Sequence, residues 1–238
     1  MAKMTLDELV AQLQKAFGTG LEAVVLYGSA AAGEHIPKRS DFNVLVLVHE
    51  LGLAELEREA AIARAWGEAG NPPPLTMTLG EWRGSSDVFP MEYADVLDRH
   101  RVLYGTPPFD GIAVNKRDLR LQLEHESMGK LLQLRQGVLA AGGDRKKQVD
   151  LLGASVSTFM VIFRALLRFA GESPPADYER LVEAVSKRTG MNVAPFVRVI
   201  RHHRGSEPLP ERDVQEVLAG YLAGTHALVD YLDRLEST

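Results

Sequence analysis

A chain of 238 residues, 45% apolar and 25% charged, is long and apolar enough to bury the core of one large or two modest domains. It has no cysteine, which excludes disulfides, thiolate metal sites and cysteine nucleophiles, and its net charge of −5 leaves no basic footprint for general nucleic-acid binding. Residues 1–10 carry Asp7 and Glu8 and no continuous apolar run, and the apolar run around 161–167 is broken by Arg164. Neither a signal peptide nor a membrane span is therefore expected, and the cytoplasm is the expected compartment.

Taken in chain order, residues 21–27 (LEAVVLY) and 42–48 (FNVLVLV) predict buried strands, each rich in β-branched or aromatic side chains. Residues 51–69 carry Ala, Leu, Glu and Arg at helical spacing. The run Asn71-Pro72-Pro73-Pro74 stops that helix and starts a third strand at 75–79. Residues 91–97 and 101–104 read as further short strands. The Gly- and Pro-rich stretch 105–111 marks a boundary, which gives domains 1–110 and 111–238. Beyond it the pattern turns helical. Leu119, Leu123, Leu131, Leu134 and Val138 share one face of a long helix ending at Gly142-Gly143, and helices follow over 149–169, 176–188, 193–203 and 213–235. The expected fold class is α/β, a mixed sheet flanked by helices, followed by an all-α bundle of four or five helices.

The chemistry is concentrated in residues 26–46, where Gly28-Ser29 follows the first strand and Asp41 and Asn43 open the next. Positions i and i+2 of a strand face the same way, so Asp41 and Asn43 can act on one ligand. Gly28 lets the backbone approach a phosphate closely, and the hydroxyl and N–H of Ser29 can contact it. Lys38 and Arg39, on the spacer loop, can meet phosphate as well. In other sequences the same residues serve as tight turns, strand caps and solvated loop charges.

Strand, Gly-Ser, spacer, Ser-Asp-x-polar and a second apolar strand together resemble the nucleotidyltransferase superfamily, especially small bacterial members with a Gly-Ser…Asp-x-Asp signature. The resemblance spans roughly residues 20–105. The helical half is similar in outline to the HEPN-type bundles that accompany minimal nucleotidyltransferases. The resemblance implies nucleoside triphosphate and Mg²⁺ as ligands, with Asp41 and the residue at 43 holding the metal. It also implies a third carboxylate on a later strand.

Three departures weaken that chemistry. Asn43 replaces a carboxylate with a neutral amide, residues 75–79 (LTMTL) contain no acid, and Ala32 stands where a basic residue is often found. Nucleotidyl transfer depends on metal-held charge, so weak or absent catalysis with retained nucleotide binding is the first expectation. An active enzyme modifying a small-molecule or protein acceptor would have to draw Glu92 or Asp95 from a neighbouring strand as the missing acid. Read as strand residues, an offset of three would turn these two to opposite faces. A third expectation is an interaction module of toxin–antitoxin type, with a protein partner or a homodimer. Arg198 and His203 fit the loose Arg-x4–6-His spacing of HEPN ribonucleases, although Val199 is apolar where that family is polar and His202-His203 also suits a helix end. Trp66 and Trp82 read as core anchors.

Overall fold

The computed structural model describes residues 3–28, 30–31 and 42–235. The backbone divides into two compact units, Met1–Val114 and Asn115–Thr238.

In the first unit, helix α1 (Leu6–Phe17) is set by a reciprocal cap. The Thr5 hydroxyl accepts from the Glu8 N–H at 3.2 Å, and the Glu8 carboxylate accepts from the Thr5 N–H at 2.8 Å. Strands β1 (Leu21–Tyr27) and β2 (Asn43–Val48), helix α2 (Leu53–Glu68) and strand β3 (Leu75–Thr78) lie where the sequence places them. Two short helices follow, α3 (Leu79–Gly84) and α4 (Pro90–Asp98), and then strand β4 (His100–Gly105). The sheet order is β3-β2-β1-β4. β1 is antiparallel to both β2 and β4, and β2 is parallel to β3, so the sheet is mixed.

Both sheet faces are covered, which explains the near-continuous apolar texture of β1 and β2. On one face Val24, Leu26, Val44, Val46 and Val48 pack with Leu9 and Leu13 of α1 and with Ile62 and Trp66 of α2. On the other, Ala23, Val25, Leu45 and Leu47 pack with Trp82, Tyr93 and Val96. The two tryptophans are fully buried anchors, one on each face.

The structure corrects the reading of residues 91–97, which form helix α4 and not a strand. Pro90 occupies the first turn, where its fixed φ favours a helix and its missing N–H is not needed. Tertiary packing then fixes the choice. The Tyr93 ring stacks on Trp82 at 4.2 Å, and its buried hydroxyl donates to the Trp82 carbonyl at 2.6 Å.

Glu59 of α2 is a buried acid, accepting at 2.7 Å from the Thr76 hydroxyl of β3. Burial pushes its pKa up, against the opposing effect of that hydrogen bond. The fold therefore favours the protonated form. That contribution is complete below about pH 4, where the unfolded chain's glutamate is also protonated, and is lost as pH rises through the raised native value. Glu59→Gln keeps the acceptor without the charge. It is expected to raise the melting temperature at pH 7.5 by about 2–4 °C, and the gain should vanish near pH 4 in melts followed by circular dichroism.

The second unit is all helical: α5 (Lys116–Ala141), α6 (Arg145–Phe169), α7 (Tyr178–Thr189), α8 (Ala194–Arg204) and α9 (Val214–Asp233). Asn115, Asp144 and Asp177 cap the first three, each side chain accepting from N–H groups of the opening turn. α6 is central and packs on the other four. Its Phe159 and Phe163 join Phe196 and Tyr221 in an aromatic core, where Phe196 and Tyr221 stack at 4.1 Å. Over its 25 residues α6 is long and apolar enough to cross a bilayer, which the interrupted run at 161–167 did not suggest. Here it serves as the core helix of the bundle.

Candidate functional site

One edge of the sheet collects the end of β1 and the starts of β2, β3 and β4. Tyr27 lies opposite Asn43 on one side and His100 on the other. Gly28 follows at φ +77°, a left-handed conformation that suits glycine, and its N–H donates to the Arg99 carbonyl at 3.1 Å. A Cβ on Gly28 would lie 3.4 Å from Asn43 Nδ2 and 3.8 Å from Asp95 Oδ2. The structure therefore brings Gly28, Asn43 and Asp95 together. It adds Tyr27, whose phenol pKa is raised by burial first and then by the negative charges of Glu92 and Asp95.

Residues directly opposite each other in an antiparallel pair share a face, so Tyr27 and Asn43 both point to the α4 side of the sheet. This placement corrects the expectation for the two acids. On a helix an offset of three keeps side chains on one side, so Glu92 and Asp95 both reach the surroundings of Tyr27, and the offset does not separate them. Asp95 is half-buried and next to Gly28, whereas Glu92 is exposed.

β3 is an edge strand beside β2, with Leu45 opposite Leu75 and Leu47 opposite Met77. Leu75 and Met77 therefore share the face of Asn43, while Thr76 turns to Glu59 on the opposite side. Leu75 is the β3 residue nearest Asn43 on that face, and it is 45% exposed. Ser29, Lys38, Arg39 and Asp41, together with Ala32, lie outside the described residues.

Asn71 was not singled out by the sequence as more than a breaker. Its side-chain oxygen accepts from the Phe42 N–H at 3.1 Å, and the Phe42 ring packs 6.1 Å from that of Trp66. These contacts pin the entry to β2. The only sequence signal for the role was the position of Asn71 at the head of a proline run.

Among the described residues no group of three or more His, Asp or Glu is placed to hold a metal ion. Among the described residues, the oxygen-bearing side chains within 4 Å of a Cβ built on Gly28 are one carboxylate and one neutral amide, a poor set for a hard divalent cation. The described residues thus do not by themselves make a magnesium site.

No protein-family model matches the chain, and no curated protein matches it in sequence. Among solved structures it is similar to spectinomycin adenyltransferase AAD(9) from Enterococcus faecialis, crystallised with ATP and spectinomycin. The TM-score is 0.57 at 12% identity, covering 95% of this chain and 99% of that one. The fold is nucleotidyltransferase-like. A toxin–antitoxin structure with AMP-PNP is a fainter likeness, with a TM-score of 0.31 at 19% identity over 58% of this chain and 98% of that one.

In the helical unit, Arg198 pairs with Glu207 and, at 3.3 Å, with Asp213. Arg201 pairs with Glu179 at 2.7 Å, and His202 Nδ1 accepts from the Leu209 N–H at 3.0 Å. These contacts tie α8 to α7 and to the segment leading into α9. His203 faces Gly153 of α6, where a Cβ would lie 4.0 Å from its Nδ1. Arg198 and His202 thus have structural partners.

Proposed function

We propose that this protein binds a nucleoside triphosphate at the sheet edge around Gly28 and transfers its nucleotidyl group weakly or not at all. The observation that carries this reading is the combination at that edge. Left-handed Gly28 keeps the backbone open to a phosphate, while the residues sharing Asn43's face on β2 and β3 carry no acid. With a neutral amide at 43 and an alkyl side chain at 75, magnesium is expected to bind weakly, mainly through the nucleotide's own phosphates.

A second reading is favoured by one contact. Asp95 reaches Gly28 from α4, so an active, magnesium-dependent nucleotidyltransferase would use Asp95 as its surrogate acid. Since AAD(9) was crystallised with ATP and spectinomycin, a small polar molecule is the acceptor class proposed for it.

Calorimetry with each nucleoside triphosphate, with and without Mg²⁺, separates these readings when paired with thin-layer analysis of labelled products. Nucleotide binding without product is expected, with Gly28→Ala weakening it about tenfold or more because a methyl group fills the space between Asn43 and Asp95. If no triphosphate binds, the first reading fails. Transfer that is lost in Asp95→Asn and kept in Glu92→Gln would establish the second. Transfer that survives both substitutions would sink both accounts of the missing acid.

A further inference from the structure

We infer that α5 is a self-association surface through which two copies of this chain pair in antiparallel fashion. The buried side of α5 carries Leu119, Leu123, Leu131 and Leu134, and the helix packs on α6 and α9. Its opposite side should then be polar, but it is not. Leu121, Met128, Leu132 and Leu139 are 50%, 41%, 47% and 80% exposed. At about 100° per residue these four project within about 20° of a single line along the helix.

With His125 and Arg135, both exposed, they occupy positions 121, 125, 128, 132, 135 and 139. Spacing that alternates between four and three residues is the seam of a two-helix coiled coil. α5 therefore carries a second seam besides the one that builds its own bundle.

The order of residues along this seam identifies the occupant. Reversed about Lys130, it superposes on itself: Leu121 faces Leu139, His125 faces Arg135, and Met128 faces Leu132 of the second copy. Apolar meets apolar at the ends and the centre, and the two polar positions meet each other. A neutral imidazole can accept from a guanidinium, so the polar pair is compatible. The same two-fold axis places Glu124, on the flank of the seam and already paired with Arg120 of its own helix, beside the second copy's Arg135. A parallel pairing would instead set Arg135 against Arg135. Self-complementarity of this kind is what an isologous two-fold interface requires.

The seam is about 27 Å long and one helix (about 10 Å) wide, so its footprint is below the roughly 800 Å² per partner of a standard interface. The dimer is therefore expected to be weak and to populate only at high protein concentration.

Sedimentation equilibrium of the full chain tests the interface. A monomer–dimer equilibrium is expected, with Leu132→Glu weakening it about tenfold or more while the thermal melt of the dilute monomer stays unchanged, since Leu132 is a surface residue of the single chain. Because the chain has no cysteine, introduced thiols report the register directly. Leu121→Cys and Leu139→Cys proteins should form a covalent dimer on mild oxidation when mixed, and little or none separately. A chain monomeric at all concentrations, a dimer indifferent to Leu132→Glu, or single variants that cross-link as readily alone would each overturn the inference.

Discussion

Asn43→Asp combined with Leu75→Glu is expected to raise the affinity of the protein for Mg²⁺–ATP by about 10- to 100-fold. The first restores a charged ligand on β2, on the face that looks toward α4. The second puts a carboxylate at the β3 position nearest to it on the same face, where the leucine is 45% exposed and contributes little packing. Each single change should give a smaller gain, because a hard cation discriminates by the number of charged oxygens around it. Calorimetry of Mg²⁺ and ATP binding to the wild type, both single variants and the double variant measures this. Tight Mg²⁺ binding by the wild type, with no gain in the double variant, would show that the metal is held elsewhere and that Asn43 is not the weak point.

Gly105→Ala is expected to destabilise the first unit by about 3 kcal/mol or more, with little soluble protein recovered. Gly105 ends β4 at φ +71°, and a Cβ there would stand 1.9 Å from the Glu22 carbonyl oxygen. Neither atom can yield cheaply. One is backbone next to the β1 pairing at Ala23, and the register between β1 and β4 already shifts between Val24 and Val25. Left-handed strain and backbone overlap therefore add. Urea unfolding followed by tryptophan fluorescence is the measurement, because Trp66 and Trp82 are both buried in this unit. A midpoint unchanged from wild type would mean that β4 pairs with β1 differently.

Much of the first unit was legible in the sequence because its strands are buried on both faces, so seven-residue apolar runs at 21–27 and 42–48 could not be surface helices. The same is true of the long helices α5 and α6, where many periods repeat. The proximity of Gly28 and Asn43 was legible because a glycine turn and a polar residue opening the neighbouring strand need only sequence order and antiparallel pairing to meet.

Short segments carried too little periodicity. Residues 91–97 have the composition of a strand, and what made them helical was Pro90 at the first turn and the docking of Tyr93 on Trp82, a contact between residues eleven apart. That one change of element also decided where the two acids lie, since a helix brings Glu92 and Asp95 to the same side and a strand would not. Which β3 residue shares Asn43's face likewise depended on a parallel register that no local pattern encodes. Leu75 turns to that face and Thr76 turns to buried Glu59 because side chains alternate along a strand once its pairing with β2 is set.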